Sequence, residues 1–229
     1  SFTLVNPPKG WKPAGWNPSG PLAGLQTARD FSFSEAVRTA AFWLLYVSYF
    51  CASFAGLVVI GHIAGHGGDS GLSAMEAGWA VSMLAICNAL TRIVTGLWVD
   101  RLGTKALFLI YFGIQSGALI LLYPAGAVPW KLWIIAAVIG WNYGGMFTLY
   151  PAACLSYFGS KYQGTNYGLL FTAFGLAGFF GPYVGGLLKD FTGTYWIPFL
   201  LSACMVAGAA ALIATVKPPS LSPQRTDRP

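Results

Sequence analysis

A chain of 229 residues with 55% hydrophobic and only 9% charged residues is not a soluble globule, whose charged share is about 25%. Its formal net charge of +6 is carried by scattered lysines and arginines, with no basic patch and no interleaved aromatic platform, which argues against a nucleic-acid partner. Sixteen per cent aromatics and 29 glycines suit helices in a lipid bilayer, where rings anchor the interfaces and glycines permit close packing.

In chain order, residues 1–34 are polar and rich in proline, glycine and tryptophan (NPPKGWKPAGW, then NPSGP), which predicts an extended cytoplasmic loop segment without a core. Six apolar segments follow, at roughly 38–62, 76–99, 105–125, 130–157, 164–188 and 195–216, each near the ~20 residues that a spanning helix needs. The links HGGDSGLSA, DRLGTK, AGAVPW, GSKYQG and DFTGTYW are short, so neighbours run antiparallel. The expected fold is an all-α membrane protein with a six-helix unit over 35–217 and a cytoplasmic tail over 218–229. Ten basic residues fall on one side (Lys9, Lys12, Arg29, Arg38, Arg101, Lys105, Lys161, Lys217, Arg225, Arg228), against Lys131 and Lys189 on the other. By the positive-inside rule both termini are cytoplasmic, in a cell membrane crossed several times. A first residue that is serine and the lack of a signal peptide predict a fragment or a processed chain.

The second apolar segment, Ala77 to Val99, holds one charge, Arg92. Eight residues separate it from Asp100, or ~12 Å along a helix, too deep for easy snorkelling. A charge at the centre of a spanning helix costs about 2.5–3.5 kcal/mol on insertion scales. It therefore faces a bundle interior or watery cavity, either as a substrate or counter-ion site or as a structural partner of a helix end. Asn88, one turn earlier on the same face, offers a further donor. The fourth segment carries GWNYGG, which puts Asn142 and Tyr143 at mid-membrane. Polar groups there bond across helices or line a cavity. In the fifth segment Gly175, Gly178, Gly181, Gly185 and Gly186 recur at three- and four-residue spacing, with Pro182 after Gly181. That pattern predicts tight helix packing at a proline bend, with gating motion there as the alternative. Cys51, Cys87, Cys154 and Cys204 all lie in apolar segments and are expected to be small buried hydrophobes rather than disulfide or zinc ligands. Glu76, Asp100 and Asp190 sit at helix ends, so no acid lies deep enough for proton-coupled symport, which tilts the expectation to exchange or facilitated flux.

Two apparent catalytic signals fail. Gly68-Asp69-Ser70-Gly71 copies a serine-protease tetrapeptide beside His62 and His66, but a triad is a geometry and not a tetrapeptide. Both histidines are expected near an external loop, too shallow to activate an intramembrane serine; four apart, they could bind a metal in principle, but two loop-borne ligands are more often simply solvated. The chain is not expected to be an enzyme, and no cofactor or metal is expected.

The run Gly96-Leu-Trp-Val-Asp100-Arg101-Leu-Gly103-Thr-Lys105 makes a tight cytoplasmic turn at Gly103, with acidic and basic groups at two helix ends. There the charge of Asp100 can be met by a basic partner. This pattern resembles the cytoplasmic loop signature of the major facilitator superfamily. The opening NPPKGWKPAGW, Tyr150-Pro151-Ala152, Tyr157-Phe158-Gly159 and the run from Asn166 through Phe171-Thr172-Ala173 to Gly181-Pro182 and Gly185-Gly186 resemble the oxalate/formate antiporter family, helices seven to twelve. The resemblance covers nearly the whole chain. It implies half of a major facilitator fold, with a missing N-terminal six-helix half as partner, in a secondary carrier that exchanges small carboxylates by alternating access. It also implies that Arg92 grips one carboxylate. A lysine in helix eleven that would grip the second is replaced here by Phe174, and Ser156 stands where an acid is common, so one cation suits a monocarboxylate better than oxalate. On this reading Arg92, Asn88, Asn142, Tyr143 and Phe174 line the substrate cavity. Gly96, Asp100, Arg101, Gly103 and Lys105 latch the inner gate, with Gly181 and Pro182 as its flexing point. The competing expectations are a non-transporting six-helix protein or decayed half-carrier, and a carrier of neutral substrates with Arg92 bracing helices.

Overall fold

A computed structural model describes residues 30–219. The segment NPPKGWKPAGW, Lys9, Lys12, Arg29 and the tail arginines Arg225 and Arg228 lie outside the described residues. A single turn, α1 (Phe33–Ala36), precedes six long helices, and the described residues contain no strand. They are α2 (Ala40–Asp69), α3 (Ala74–Leu102), α4 (Thr104–Ala125), α5 (Pro129–Phe158), α6 (Gln163–Thr192) and α7 (Trp196–Thr215). All six are long and apolar enough to cross a membrane.

Local chemistry sets their ends. The Thr39 hydroxyl accepts the Phe42 amide at the start of α2 (3.2 Å), and Ser73 and Glu76 form a reciprocal capping box on α3. Proline opens α5 at a position whose N–H has no helical partner anyway. Gly103 and Gly159, at φ of +77° and +81°, turn the chain out of α3 and α5 in a conformation that L side chains rarely adopt.

The helices run longer than expected at two places. Helix α2 continues through His62 and His66 to Asp69 instead of stopping near residue 62, and α6 reaches Thr192. The expectation of loop-borne, solvated histidines is therefore overturned. His66 is buried, and its Nε2–H donates to the Leu122 and Tyr123 carbonyls near the end of α4 at 3.2 and 3.1 Å. His62 Nε2–H donates to the Pro182 carbonyl of α6 at 2.9 Å. Hydrogen bonds to neighbouring helices keep the chain helical where sequence composition suggests a loop. The cysteines also differ from expectation. All four are free, but only Cys154 is fully buried, and Cys204 is exposed on the outer face of α7.

The main packed pairs are α3 with α5, α2 with α6 and α7, and α4 with α7 and α5. Small residues decide two of these. Gly140 and Gly144, four apart on α5, lie directly against the backbone of α3 at Leu84 and Asn88, while Gly145 receives the Tyr111 ring of α4. On α6 the glycine stripe is used only in its C-terminal half. A Cβ at Gly181 would sit 3.0 Å from the Phe54 carbonyl, and one at Gly185 2.9 Å from the His62 ring, whereas Gly175 meets nothing within 4 Å. A polar seam, with the Thr91 and Thr95 hydroxyls 3.1 Å apart and those of Thr95 and Tyr111 2.8 Å apart, joins α3 to α4 inside the bundle. Helices α3 and α6 are the least buried, with Ile93 and Phe179 about 70% exposed.

Candidate substrate site

Arg92 sits on an open face of α3 with its guanidinium fixed at two points. One Nη–H donates to Asn88 Oδ1 at 3.0 Å, and the guanidinium carbon lies 4.5 Å from the centre of the Phe147 ring on α5. The first contact follows from i, i+4 spacing on one helix. The second is a cation–π contact, which holds a flat cation without neutralising it. Arg92 forms no ion pair with any carboxylate among the described residues. Its own carbonyl accepts the Thr148 hydroxyl at 3.2 Å, which stitches this turn of α3 to α5. The Gly140–Gly144 crossing makes these contacts reachable, because a bulkier α5 would hold Phe147 away.

From Phe147 a chain of rings continues into the bundle. Tyr143 lies 5.6 Å away edge-on, Phe174 of α6 5.3 Å away, and Phe171 stacks on Phe174 at 5.1 Å. Tyr49 of α2 approaches Phe174 at 6.4 Å and stacks on Tyr150 at 3.9 Å. The Tyr143 ring packs on Gly56 of α2. Its hydroxyl is buried without a hydrogen-bond partner and lies within the field of Arg92. A cavity of about 250 Å³ between α2 and α3 is lined by Asn88 and by apolar side chains including Ile60, Val81 and Ala85.

Of the expected site residues, Arg92, Tyr143 and Phe174 meet around Phe147, and Asn88 joins them through Arg92, with Tyr143 buried beneath the exposed Arg92. Asn142 does not join them. Its Nδ2–H₂ donates to the Val138 carbonyl of its own helix at 2.8 Å, and the side chain lines a separate groove with Cys87, Tyr111 and Trp141. Consecutive helical positions diverge by about 100°, so Asn142 and Tyr143 face different neighbours. Phe147, four residues after Tyr143, escaped the sequence reading although that spacing puts the two on one face.

The run from Gly96 to Lys105 divides as well. Lys105 caps the end of α7, its ammonium donating to the Ala214 and Val216 carbonyls at 2.7 and 3.1 Å. The side chains of Asp100 and Arg101 are exposed at the end of α3 and make no hydrogen bond or ion pair among the described residues, so Asp100 has no basic partner there. A Cβ at Gly96 would lie 4.0 Å from the Thr148 methyl, an ordinary contact, so packing does not require glycine there. Because Lys105 acts as a cap, Lys105→Met is expected to cost about 1 kcal/mol, read as a lower unfolding temperature in detergent with substrate affinity unchanged. Lost transport at an unaltered unfolding temperature would instead make it a gate residue.

The Major Facilitator Superfamily model matches residues 13–229. The Oxalate:formate antiporter of Oxalobacter formigenes is 30% identical over 84% of this chain and 46% of its own length. Human Monocarboxylate transporter 11 is 31% identical over 82% of this chain and 40% of its own. The uncharacterized MFS-type transporter YhjX of Escherichia coli (strain K12) is 29% identical over 65% of this chain and 37% of its own. The chain spans less than half the length of these curated relatives. With six helices fit to span a bilayer and a family match over nearly its whole length, this chain belongs to the Major Facilitator Superfamily, a family of multi-pass membrane transporters and not of enzymes.

Proposed function

We propose that this chain is the C-terminal six-helix half of a secondary carrier that exchanges small organic anions, monocarboxylates in particular, by alternating access. The observation that carries the reading is Arg92, a cation on a spanning helix held in place by Asn88 and Phe147 yet paired with no acid among the described residues. The desolvation cost of such a charge is offset when an anion completes its shell. A carboxylate bound there accepts two parallel N–H bonds from the guanidinium fork. The Asn88 amide N–H₂ and the Tyr143 hydroxyl, which have no partner among the described residues, add donors. The apolar cavity beside Asn88 accommodates a short aliphatic tail. A single cation against Phe147, with Phe174 rather than a second cation beyond that ring, favours one carboxylate over two, and the relatives' names, an oxalate:formate antiporter and a monocarboxylate transporter, agree with the substrate class.

Both termini face the cytoplasm in this reading, and the open face of α3 and α6 meets an N-terminal half across the substrate. Asp100 and Arg101, unpaired among the described residues at the inner end of α3, engage that half when the inner gate closes, with Gly103 setting the turn. Gly181 and Pro182, packed on Phe54 and His62 of α2, absorb the bending of α6.

The test is counterflow in proteoliposomes of the full-length protein with labelled formate, lactate and oxalate. Saturable exchange of formate or lactate supports the reading, and the absence of flux for all three carboxylates overturns it. Phe174→Lys, which puts a second cation beside Phe147, is expected to raise oxalate exchange relative to formate by about tenfold. An unchanged oxalate-to-formate ratio would remove Phe174 from the site.

A further inference from the structure

The non-cytoplasmic end of the α4–α5 hairpin carries a groove that the transport reading leaves unused. It is a cavity of about 300 Å³ bounded by Leu121 and Pro124 on α4 and by Trp130, Lys131, Ile134 and Ile135 on α5. It lies on the side of the bundle, and three of its side chains (Leu121, Trp130 and Ile134) are more than half exposed. Its polarity is graded. Lys131 stands in the first turn of α5, where the helix meets the interface, and the residues one turn deeper are all apolar. Trp130 marks the same level, since indole rings concentrate where hydrocarbon gives way to headgroups.

The charge at the rim is available. Of the two lysines on this side, Lys189 is neutralised by Asp69 at 2.9 Å. Lys131 has no acid partner among the described residues, and its ammonium lies 5.6 Å from the centre of the Trp130 ring, a contact that positions it and leaves its charge intact. The α5 N-terminus, which has no side-chain cap, adds a positive end at the same level.

We propose that this groove binds one anionic phospholipid, with its phosphate on the Lys131 ammonium and an acyl chain along Leu121, Ile134 and Ile135. An anion at the rim over an apolar floor is the order of groups in a phospholipid, and a soluble anion would leave the floor unused. Assignment to the outer leaflet rests on the orientation proposed above, whereas the groove and its cation do not. The bound lipid braces the outer end of α5, the helix that carries Tyr143 and Phe147.

The test uses the full-length protein in liposomes containing phosphatidylglycerol or phosphatidylcholine with the same photoactivatable acyl chain, and labelled residues are mapped by mass spectrometry. Labelling of Leu121, Ile134 and Ile135 is expected to favour phosphatidylglycerol by about fivefold, the selectivity that one interfacial lysine provides. Lys131→Gln should abolish the preference and Lys131→Arg should keep it. Equal labelling by the two lipids in the wild type, or an undiminished preference in Lys131→Gln, would overturn the proposal. Loss of carboxylate flux has no bearing on these readouts, so the two readings fail separately.

Discussion

Replacing Arg92 with glutamine is expected to lower saturable carboxylate exchange about a hundredfold, because removing one partner of a water-poor charge pair costs roughly 3 kcal/mol. Glutamine keeps a donor and much of the length but has neither the charge nor the two-pronged fork. Arg92→Lys separates these contributions. It keeps the charge and loses the planar contact with Phe147 and the paired bonds to a carboxylate, so intermediate activity with a raised KM is expected. Asn88→Ala removes the acceptor that fixes one guanidinium nitrogen at 3.0 Å and should raise KM by a smaller factor, about five- to tenfold. The measurement is counterflow in proteoliposomes with equal amounts of inserted protein. If Arg92→Gln exchanged anions with wild-type KM and rate, Arg92 would be a brace between α3 and α5, and the anion would bind elsewhere.

Gly140→Val and Gly144→Val are expected to prevent assembly of the bundle, each costing more than about 3 kcal/mol, beyond the usual range for overpacking. In an ordinary core an added methyl pushes aside a side chain that has other rotamers. Here a Cβ at Gly140 meets the Leu84 carbonyl and one at Gly144 meets the Asn88 carbonyl, and backbone has no alternative rotamer. The α3–α5 crossing would have to separate, undoing the packing of the pair that carries Arg92 and Phe147. Gly117→Ala and Gly175→Ala are the controls, since neither glycine has a neighbour within 4 Å of the added Cβ. Monodisperse yield after detergent extraction, followed by thermal unfolding, reads the difference. A folded, stable Gly144→Val protein would show that α3 and α5 do not cross as closely as described.

Much of this protein was legible in its amino-acid order because a bilayer imposes few solutions. Six apolar segments of spanning length, broken by short links, specify six helices, since hydrocarbon offers no other partner for the backbone. Arg92 and Asn88 were readable for the same reason: a charge in such a segment is costly, and i, i+4 neighbours on one helix need no tertiary information. The turn at Gly103 was equally local. The tertiary structure decided what depends on contacts between helices. It kept α2 helical through His66, because carbonyls at the end of α4 accept the His66 ring N–H. It placed Phe147 over Arg92 and turned Asn142 away from it, and it gave Lys105 to the end of α7. It used only the C-terminal half of the α6 glycine stripe. Sequence spacing fixes which side chains share a helix face, but the helix that meets that face is chosen by packing, and packing depends on residues far apart in the chain.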